Sequence, residues 1–364
     1  MSNARKLADN LPTEGPLTGR NMVINGDMRI DQRNGGSAVT GHNTNLFPVD
    51  RFRCTENTGG SVDMQRVQDA PVGFYYSLKF TVTGTDTSLT GTEYVRALHP
   101  IEGSNIGHLN WGTSNAKTCT LSFYVKSSVA GQYYVNIFNG SANRIIVKGY
   151  TIDAANTWVR KIISVAGATS GSWSTSTGAG IYIGWMQGTG PDYIVSSTDT
   201  WGGSFDMVGA NQVNLLATNG ATWQLTGVQF EVGANNATPF EHEQHSVTLA
   251  KCQRYYFQET TTSTDSSGRL GVASGGSTVV FDHTLPVQMR TKPSVSLTST
   301  NLRIGDTVAQ GFTTTSGTVS LSTYSGSQSV TYTLGGFSGL TSYRTYLHEP
   351  DGSSTGMVKF DAEL

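Results

Sequence analysis

Short runs in which apolar and polar residues alternate recur along the chain from about residue 21 onward. A period of two places successive side chains on opposite faces of a strand, and the Gly, Asn, Ser and Thr clusters between runs are typical of turns. The runs predict the strands Tyr76–Val82, Thr118–Lys126, Gln132–Phe138, Val159–Val165, Gly180–Gln187, Val213–Leu216 and Trp223–Val232. Because no sustained helical period interrupts them, the pattern indicates an all-β fold, a sandwich or jelly roll.

A stretch rich in Thr and Ser, from Glu259 to Gly268, separates this region from a second set of runs. These runs predict the strands Thr278–His283, Ser294–Leu297, Thr318–Thr323, Val330–Leu334, Tyr343–His348 and Met357–Ala362. Their apolar positions suffice for one thin core. We therefore predict a smaller C-terminal β-sandwich within residues 246–364, entered through a short linker helix from Ser246 to Tyr255.

Helical spacing occurs at the start of the chain, where Ala4, Leu7, Ala8 and Leu11 follow an i, i+3, i+4, i+7 pattern. Isolated helices below ~12 residues are marginal in water, so this helix is expected to fold against a copy of itself or a docking surface on a larger particle. Pro and Gly residues up to position 20 then form a linker. The predicted organisation is a docking helix and linker at residues 1–20, the large β domain at 21–245, and the linker helix with the C-terminal β domain at 246–364.

The composition of the chain excludes some classes of function. Only 14% of the residues are charged and the formal net charge is -2, which excludes a polybasic nucleic-acid or membrane binder. The three cysteines, Cys54, Cys119 and Cys252, are far apart and lack the spacing of a zinc site, so we expect buried free thiols. The start of the chain does not resemble a signal peptide, which predicts synthesis and assembly in cytoplasm.

Aromatic residues can be sorted by their place in this pattern. Alternation puts Tyr124 and Tyr182 on the face opposite the apolar one, whereas Trp185 falls on the core face. Trp201 lies in a Gly-rich loop, where packing explains a large ring less easily, and Tyr193 lies in the neighbouring loop. Trp111 lies in a polar loop.

Two separated blocks resemble one known family. Residues 225–233 read LTGVQFEVG and are followed by ATPFEHE at 237–243 and CQRYY at 252–256; residues 25–34 read NGDMRIDQRN and are followed by VDRF at 49–52. The first group resembles the closing strand and exit segment, and the second the opening strand, of a β-sandwich module of phage tail-fibre and other virion structural proteins. The resemblance covers roughly residues 21–257.

This resemblance implies a virion structural protein assembled in the host cytoplasm. The expected role is that of a tail fibre or similar appendage, a homotrimer that joins other virion proteins through its N-terminal segment and attaches to host surface glycans without catalysis. Two alternatives stay open. One is a capsid decoration or head-fibre protein, and the other is a glycan depolymerase.

The large domain also resembles jelly-roll carbohydrate-binding modules, in which aromatic rings stack on sugars and polar side chains bind hydroxyls. The candidate glycan-binding residues are Trp201, Tyr193, Trp111, Tyr124 and Tyr182. No cofactor is expected, although such modules often hold a structural calcium ion. The matching oxygen donors here would be Asn25, Asp27 and Glu231.

A catalytic set is not expected. Asp192, Asp199 and Asp206 cluster between residues 191 and 208, but their Ser, Thr and Gly neighbours offer no apolar burial to raise a carboxyl pKa for acid catalysis. His242 and His245 have a spacing that could share a metal, yet a third ligand is missing. We therefore predict neither catalytic nor metal-ligand residues.

Overall fold

The computed structural model describes residues 19–41, 45–233, 237–259, 269–306, 311–349 and 356–364. The predicted docking helix with Ala4, Leu7, Ala8 and Leu11 lies outside these residues. The strands are β1 (Val39–Thr40), β2 (Leu46–Val49), β3 (Phe52–Asn57), β4 (Ser61–Val67), β5 (Ser77–Gly84), β6 (Tyr94–Glu102), β7 (Cys119–Ser127), β8 (Gly131–Asn139), β9 (Ile145–Ile152), β10 (Val159–Val165), β11 (Ala179–Thr189), β12 (Thr222–Val232), β13 (Tyr256–Gln258), β14 (Leu270–Ala273), β15 (Thr278–Thr284), β16 (Ser294–Leu297), β17 (Leu302–Asp306), β18 (Gly311–Thr314), β19 (Thr318–Leu321), β20 (Ser329–Gly335), β21 (Thr345–Glu349) and β22 (Val358–Asp361). Helix α1 spans His245–Gln253.

The described residues form two compact units, the first ending at Thr248 and including Leu364, and the second covering Leu249–Glu363. In the first unit two six-stranded antiparallel sheets face each other. Sheet A has the order β1-β4-β5-β12-β7-β10, and sheet B has the order β2-β3-β6-β11-β8-β9. Their facing side chains form one core, in which Trp223 of sheet A and Trp185 of sheet B are both fully buried. The predicted all-β sandwich of jelly-roll type is confirmed.

The first and last parts of this unit lie side by side. The Met22 amide donates to the Phe230 carbonyl oxygen at 2.9 Å, and the Val228 amide donates to the Gly26 carbonyl oxygen at the same distance. A Cβ atom at Gly26 would lie only 2.1 Å from the Val228 carbonyl oxygen, so glycine is required there. The two sequence blocks are therefore direct neighbours, although residues 25–34 form turns and not the opening strand that they resemble.

The second unit is a smaller β-sandwich, as predicted. A three-stranded sheet with the order β13-β22-β16 and a seven-stranded sheet with the order β18-β17-β21-β14-β15-β20-β19 share one core. Phe360 of the small sheet meets Tyr332 of the large sheet with ring centroids 5.8 Å apart. Burial of these side chains supplies the thin core that the sequence indicates.

Most predicted strands agree with the structure to within two residues, and β10 and β16 have the predicted bounds. The strand predicted at Val213–Leu216 is wrong, because Leu215–Ala217 forms a 3₁₀ turn there. The Asn214 side chain accepts a hydrogen bond of 3.0 Å from the Leu216 amide, which starts this turn. The strands that the alternation did not predict are β1, β2, β3, β4, β6, β9, β13, β14, β17 and β18. In β6, buried polar residues such as Arg96 and His99 interrupt the apolar alternation.

All three cysteines are buried free thiols, as predicted. Burial raises the pKa of Cys54 and of Cys119, so both thiols stay protonated and unreactive near neutral pH. In the described part of the chain, the one helix is too short to cross a membrane.

Candidate functional site

A cleft of ≈ 530 Å³ opens in the first unit where the opening block, the segment before β5 and the exit segment after β12 meet. We call it the aromatic cleft. Its lining residues are Asp27, Arg29, Arg66, Gly73, Phe74, Tyr75, Tyr76, His242, Glu243 and His245. Aromatic rings and charged groups of both signs therefore share one surface.

Phe74 is the centre of the aromatic wall. Its ring centroid lies 5.3 Å from that of His242, 5.0 Å from that of Phe240 and 5.3 Å from that of Tyr124. A break in the β12–β7 register after Thr226 makes room for this group. Gly227 lies in that break with φ of 61°, and a Cβ atom there would approach the Phe74 ring to 2.7 Å. A glycine bulge thus lets Phe74 and Tyr124 pack against β12.

Two arginines build the polar wall. Arg29 Nε donates to an Asp27 carboxylate oxygen at 2.6 Å, and Arg66 Nη1 donates to the Arg29 carbonyl oxygen at 2.6 Å. The Arg66 guanidinium also lies 4.4 Å from the centre of the Tyr76 ring. These contacts hold the charged groups in place, so the cleft offers fixed hydrogen-bond donors beside ring faces.

Tyr75 is the exposed ring of the cleft. Its side chain is 66% exposed and meets Tyr76 edge to face with centroids 4.8 Å apart. A large exposed ring held by a neighbour presents contact area at low entropic cost. This wall can stack on a flat apolar ligand surface such as the C–H face of a sugar.

The outer face of sheet B carries a second aromatic group, partly covered by the loop between β11 and β12. The Tyr182 ring stacks on Phe138 at 5.0 Å, and Phe205 of the loop lies 5.4 Å from Phe138. Phe205 also contacts Tyr193, with centroids 6.0 Å apart. The structure therefore brings the candidates Tyr182 and Tyr193 to one face, while Tyr124 lies beside the aromatic cleft.

Trp111 and Trp201 belong to a third aromatic group, which is distinct from the aromatic cleft and from the group on the outer face of sheet B. They form an edge-to-face cluster with Trp173, and the three centroid distances are 4.8, 5.3 and 5.5 Å. The Trp201 indole N–H donates to the Ala166 carbonyl oxygen at 2.8 Å, and that of Trp111 donates to Lys117 at 2.8 Å. The interpretation that packing explains Trp201 poorly is thus corrected. Its part in glycan binding stays a prediction.

The clustered carboxylates lie in the covering loop. Asp199 is largely exposed and pairs with Lys148 at 2.7 Å, and this hydrogen bond lowers the Asp199 pKa. Asp192 is exposed as well, while Asp206 is half-buried. A carboxyl group held ionised in this way does not suit an acid catalyst.

The donors expected for calcium have other partners. Asn25 Oδ1 accepts a hydrogen bond of 2.9 Å from the Ile30 amide, and Glu231 accepts one from the Thr238 hydroxyl. Asp27 pairs with Arg29 in the aromatic cleft. Among the described residues, no group of three or more His, Cys, Asp or Glu side chains could hold a metal ion. Calcium binding stays a prediction.

Seven cleft residues were not considered as site residues from the sequence: Arg29, Arg66, Gly73, Phe74, Tyr75, Tyr76 and Glu243. One signal for them was present, because three consecutive aromatic residues at 74–76 precede β5 and cannot all lie on one face of a strand. No local signal in the sequence links these three aromatic residues to Arg66 or His242.

No protein-family model matches this chain, and no curated protein matches it. Among solved structures, it is similar to the family 11 carbohydrate-binding module from Clostridium thermocellum with 14% identity and a TM-score of 0.29, over 56% of this chain and 99% of that one. It is also similar to the tandem CBM22 domain from Paenibacillus barcinonensis Xyn10C, with 11% identity, a TM-score of 0.27 and coverage of 92% and 98%. The enzymatically active domain of bacteriophage CBA120 tailspike protein 4 aligns with 11% identity and a TM-score of 0.31, over 58% of this chain but 21% of the tailspike domain.

Proposed function

We propose that this protein is a non-catalytic, glycan-binding structural part of a phage virion, a tail fibre or similar appendage that attaches the particle to the host surface. The observation that carries the proposal is the aromatic cleft, in which the exposed Tyr75 and the Phe74 wall stand beside the fixed Arg29 and Arg66 groups. Ring faces for sugar C–H groups and donors for hydroxyls are the two elements that glycan recognition needs.

The virion role is supported by the two sequence blocks that resemble a tail-fibre module. In the structure they pair through Gly26 and Val228, so they belong to one folded module. Both blocks also contribute to the aromatic cleft, through Arg29 from the first and His242 from the second. The resemblance and the cleft therefore concern the same surface.

A trimer with one cleft per copy suits attachment. A shallow cleft makes weak contacts with a single sugar chain, but linked copies on one particle bind a repetitive surface at high effective concentration. The N-terminal segment is the proposed contact with other virion proteins. Attachment would then depend on the number of copies rather than on the affinity of one site.

Binding without catalysis is supported by the state of the carboxylates. Asp27 is held by Arg29 at 2.6 Å, and Asp199 is held by Lys148 at 2.7 Å. Glycosidases need one carboxyl group that keeps its proton beside the scissile bond. The hydrogen bond from Lys148 lowers the pKa of Asp199, which favours an ionised group that anchors a cation rather than an acid catalyst.

The test is binding of the purified full-length protein, with its oligomeric state measured by light scattering, to intact bacteria and to a panel of extracted surface polysaccharides. We expect saturable binding by an oligomer and no release of sugar fragments. Tyr75→Ala should abolish binding, whereas Tyr324→Ala is the matched control because that side chain is 95% exposed in the second unit.

Each result that contradicts these expectations excludes a different part of the proposal. Failure of the wild-type protein to bind any polysaccharide or cell would overturn glycan attachment and favour a capsid decoration role. Equal binding by the wild type and Tyr75→Ala would exclude the aromatic cleft as the site. Release of fragments would show a depolymerase.

A further inference from the structure

Arg96 is a buried cation on the outer face of sheet B. It lies on β6 between Thr55 of β3 and Met186 of β11, and its side chain faces away from the main core. The residue is only 8% exposed, and its Nε and Nη1 atoms have no hydrogen-bond partner among the described residues. Burying two guanidinium nitrogens that make no hydrogen bond is costly, so this site is suited to an anion.

The surroundings of Arg96 are aromatic and cationic. Its guanidinium lies 4.7 Å from the centre of the Tyr94 ring, and that of Arg53 lies 5.4 Å from the centre of the Tyr182 ring. Burial lowers the pKa of Arg96, and the nearby charge of Arg53 lowers it further. Within the described part of the chain Arg96 forms no ion pair. Arg53 Nη1 donates to the main-chain oxygen of Leu364 at 3.2 Å.

The rim of this site is accessible. Arg53, Tyr94, Tyr182 and Tyr193 are half-buried and surround the more deeply buried Arg96. Two guanidinium groups supply several donors for a planar or tetrahedral oxyanion, and the tyrosine rings supply faces for the body of the ligand.

We propose that Arg96 and Arg53 bind the carboxylate or sulfate group of an acidic sugar, with the ring of the sugar against the tyrosines. The source of that anion, a host surface polysaccharide, rests on the proposed function, but the anion site itself does not. It is separate from the aromatic cleft, because the two share no residue.

Calorimetric titration and thermal unfolding of the full-length protein test the proposal with sodium glucuronate, sodium sulfate and glucose at equal ionic strength. Glucuronate should titrate saturably and raise the Tm, while glucose should do neither. An alginate oligosaccharide should bind at least tenfold more tightly than glucuronate, because its rings also contact the tyrosines. A response to inorganic sulfate as strong as the responses to glucuronate and to the alginate oligosaccharide would mean a general anion site and would overturn the acidic-sugar proposal, as would no response to any anion.

Single-residue variants test whether the response to glucuronate depends on Arg96 and Arg53. Arg96→Met should abolish the response to glucuronate while leaving the ligand-free Tm unchanged or higher, because it removes a buried unpaired charge. Arg53→Met, at a half-buried position, should weaken binding at least tenfold. Arg303→Met removes the same charge from a half-exposed ion pair in the second unit and should leave the response intact.

The variants also separate this proposal from the function proposed above. Tyr75→Ala should keep the response to glucuronate. If Tyr75→Ala loses it and Arg96→Met keeps it, acidic sugar binds in the aromatic cleft; this proposal then fails while glycan attachment stands. An equal loss in Arg96→Met and Arg303→Met would show a general charge effect and would also overturn the site.

Discussion

The ring of Phe74 lies 5.3 Å from the ring of His242, so a residue before β5 and a residue after β12 form one wall. These positions are far apart in the sequence, and both depend on the pairing of β5 with β12 in sheet A. The aromatic cleft is therefore a property of the assembled sheet rather than of a single loop.

Gly227→Ala should destabilise the first unit and weaken glycan binding. The new methyl group would meet Phe74 at 2.7 Å in a backbone conformation with φ of 61°, which L side chains rarely adopt. The matched control is Gly220→Ala, where φ is 73° but no atom lies within 4 Å. We expect about 1 kcal/mol of lost stability in the control and about 2 kcal/mol more in Gly227→Ala.

Urea unfolding followed by Trp fluorescence measures this difference, because all six tryptophans lie in the first unit. Equal losses in the two variants would show that the Phe74 contact does not constrain the bulge. Retained glycan binding in Gly227→Ala would show that the Phe74 wall can shift without harm to the cleft.

Trp201→Ala should lower the free energy of unfolding of the first unit by about 2 kcal/mol. The substitution removes the edge-to-face contacts with Trp111 and Trp173 and the hydrogen bond to Ala166. Trp201→Phe should recover part of the loss, since it keeps a ring but not the N–H donor. Chemical denaturation of the three proteins checks this order, and unchanged stability with lost glycan binding would instead assign Trp201 to the sugar.

Acid should destabilise the second unit through His348. Burial, with a smaller contribution from the charge of Arg269, lowers its pKa to about 4. Because the folded pKa lies below the unfolded value, stability is complete above about pH 6.5 and falls as the pH drops toward 4. For His348 alone the loss between pH 7 and pH 5 is on the order of 2 kcal/mol.

Scanning calorimetry between pH 7 and pH 5 measures this loss. His348→Gln should reduce the pH dependence of the second unit, whereas His245→Gln, at an exposed position of the first unit, should leave that dependence unchanged. His283, whose pKa burial lowers to about 3, adds a dependence of the same sign. A second unit whose stability does not change over this range would contradict the assignment of neutral buried histidines.

Asp199→Asn should leave stability nearly unchanged and should not affect any sugar-fragment release. The Asp199 to Lys148 pair is exposed on the carboxylate side, and such pairs contribute about 0–1 kcal/mol. Reducing-end assays with the wild type and the variant on the same polysaccharides check this. Fragment release by the wild type that Asp199→Asn abolishes would make Asp199 catalytic.

The sequence by itself determined the β class, the positions of twelve of the twenty-two described strands, and the core face of the two strands that carry Tyr124 and Tyr182. These properties are local, because side chains alternate about the strand axis whatever the partner strand is. Trp185 was placed in the core in this way, and it is fully buried. Where buried polar residues break the alternation, as in β6, local reasoning failed and the strand was missed.

Tertiary structure alone decided which distant residues share a surface. Period two shows that Tyr124 and Tyr182 leave the core, but it does not show that Tyr124 meets Phe74 while Tyr182 meets Phe138. Strand order depends on long-range pairing, and the covering of sheet B depends on where its loop packs. Contacts of that kind carry no local signal, because residues far apart in sequence must first be brought together by the fold.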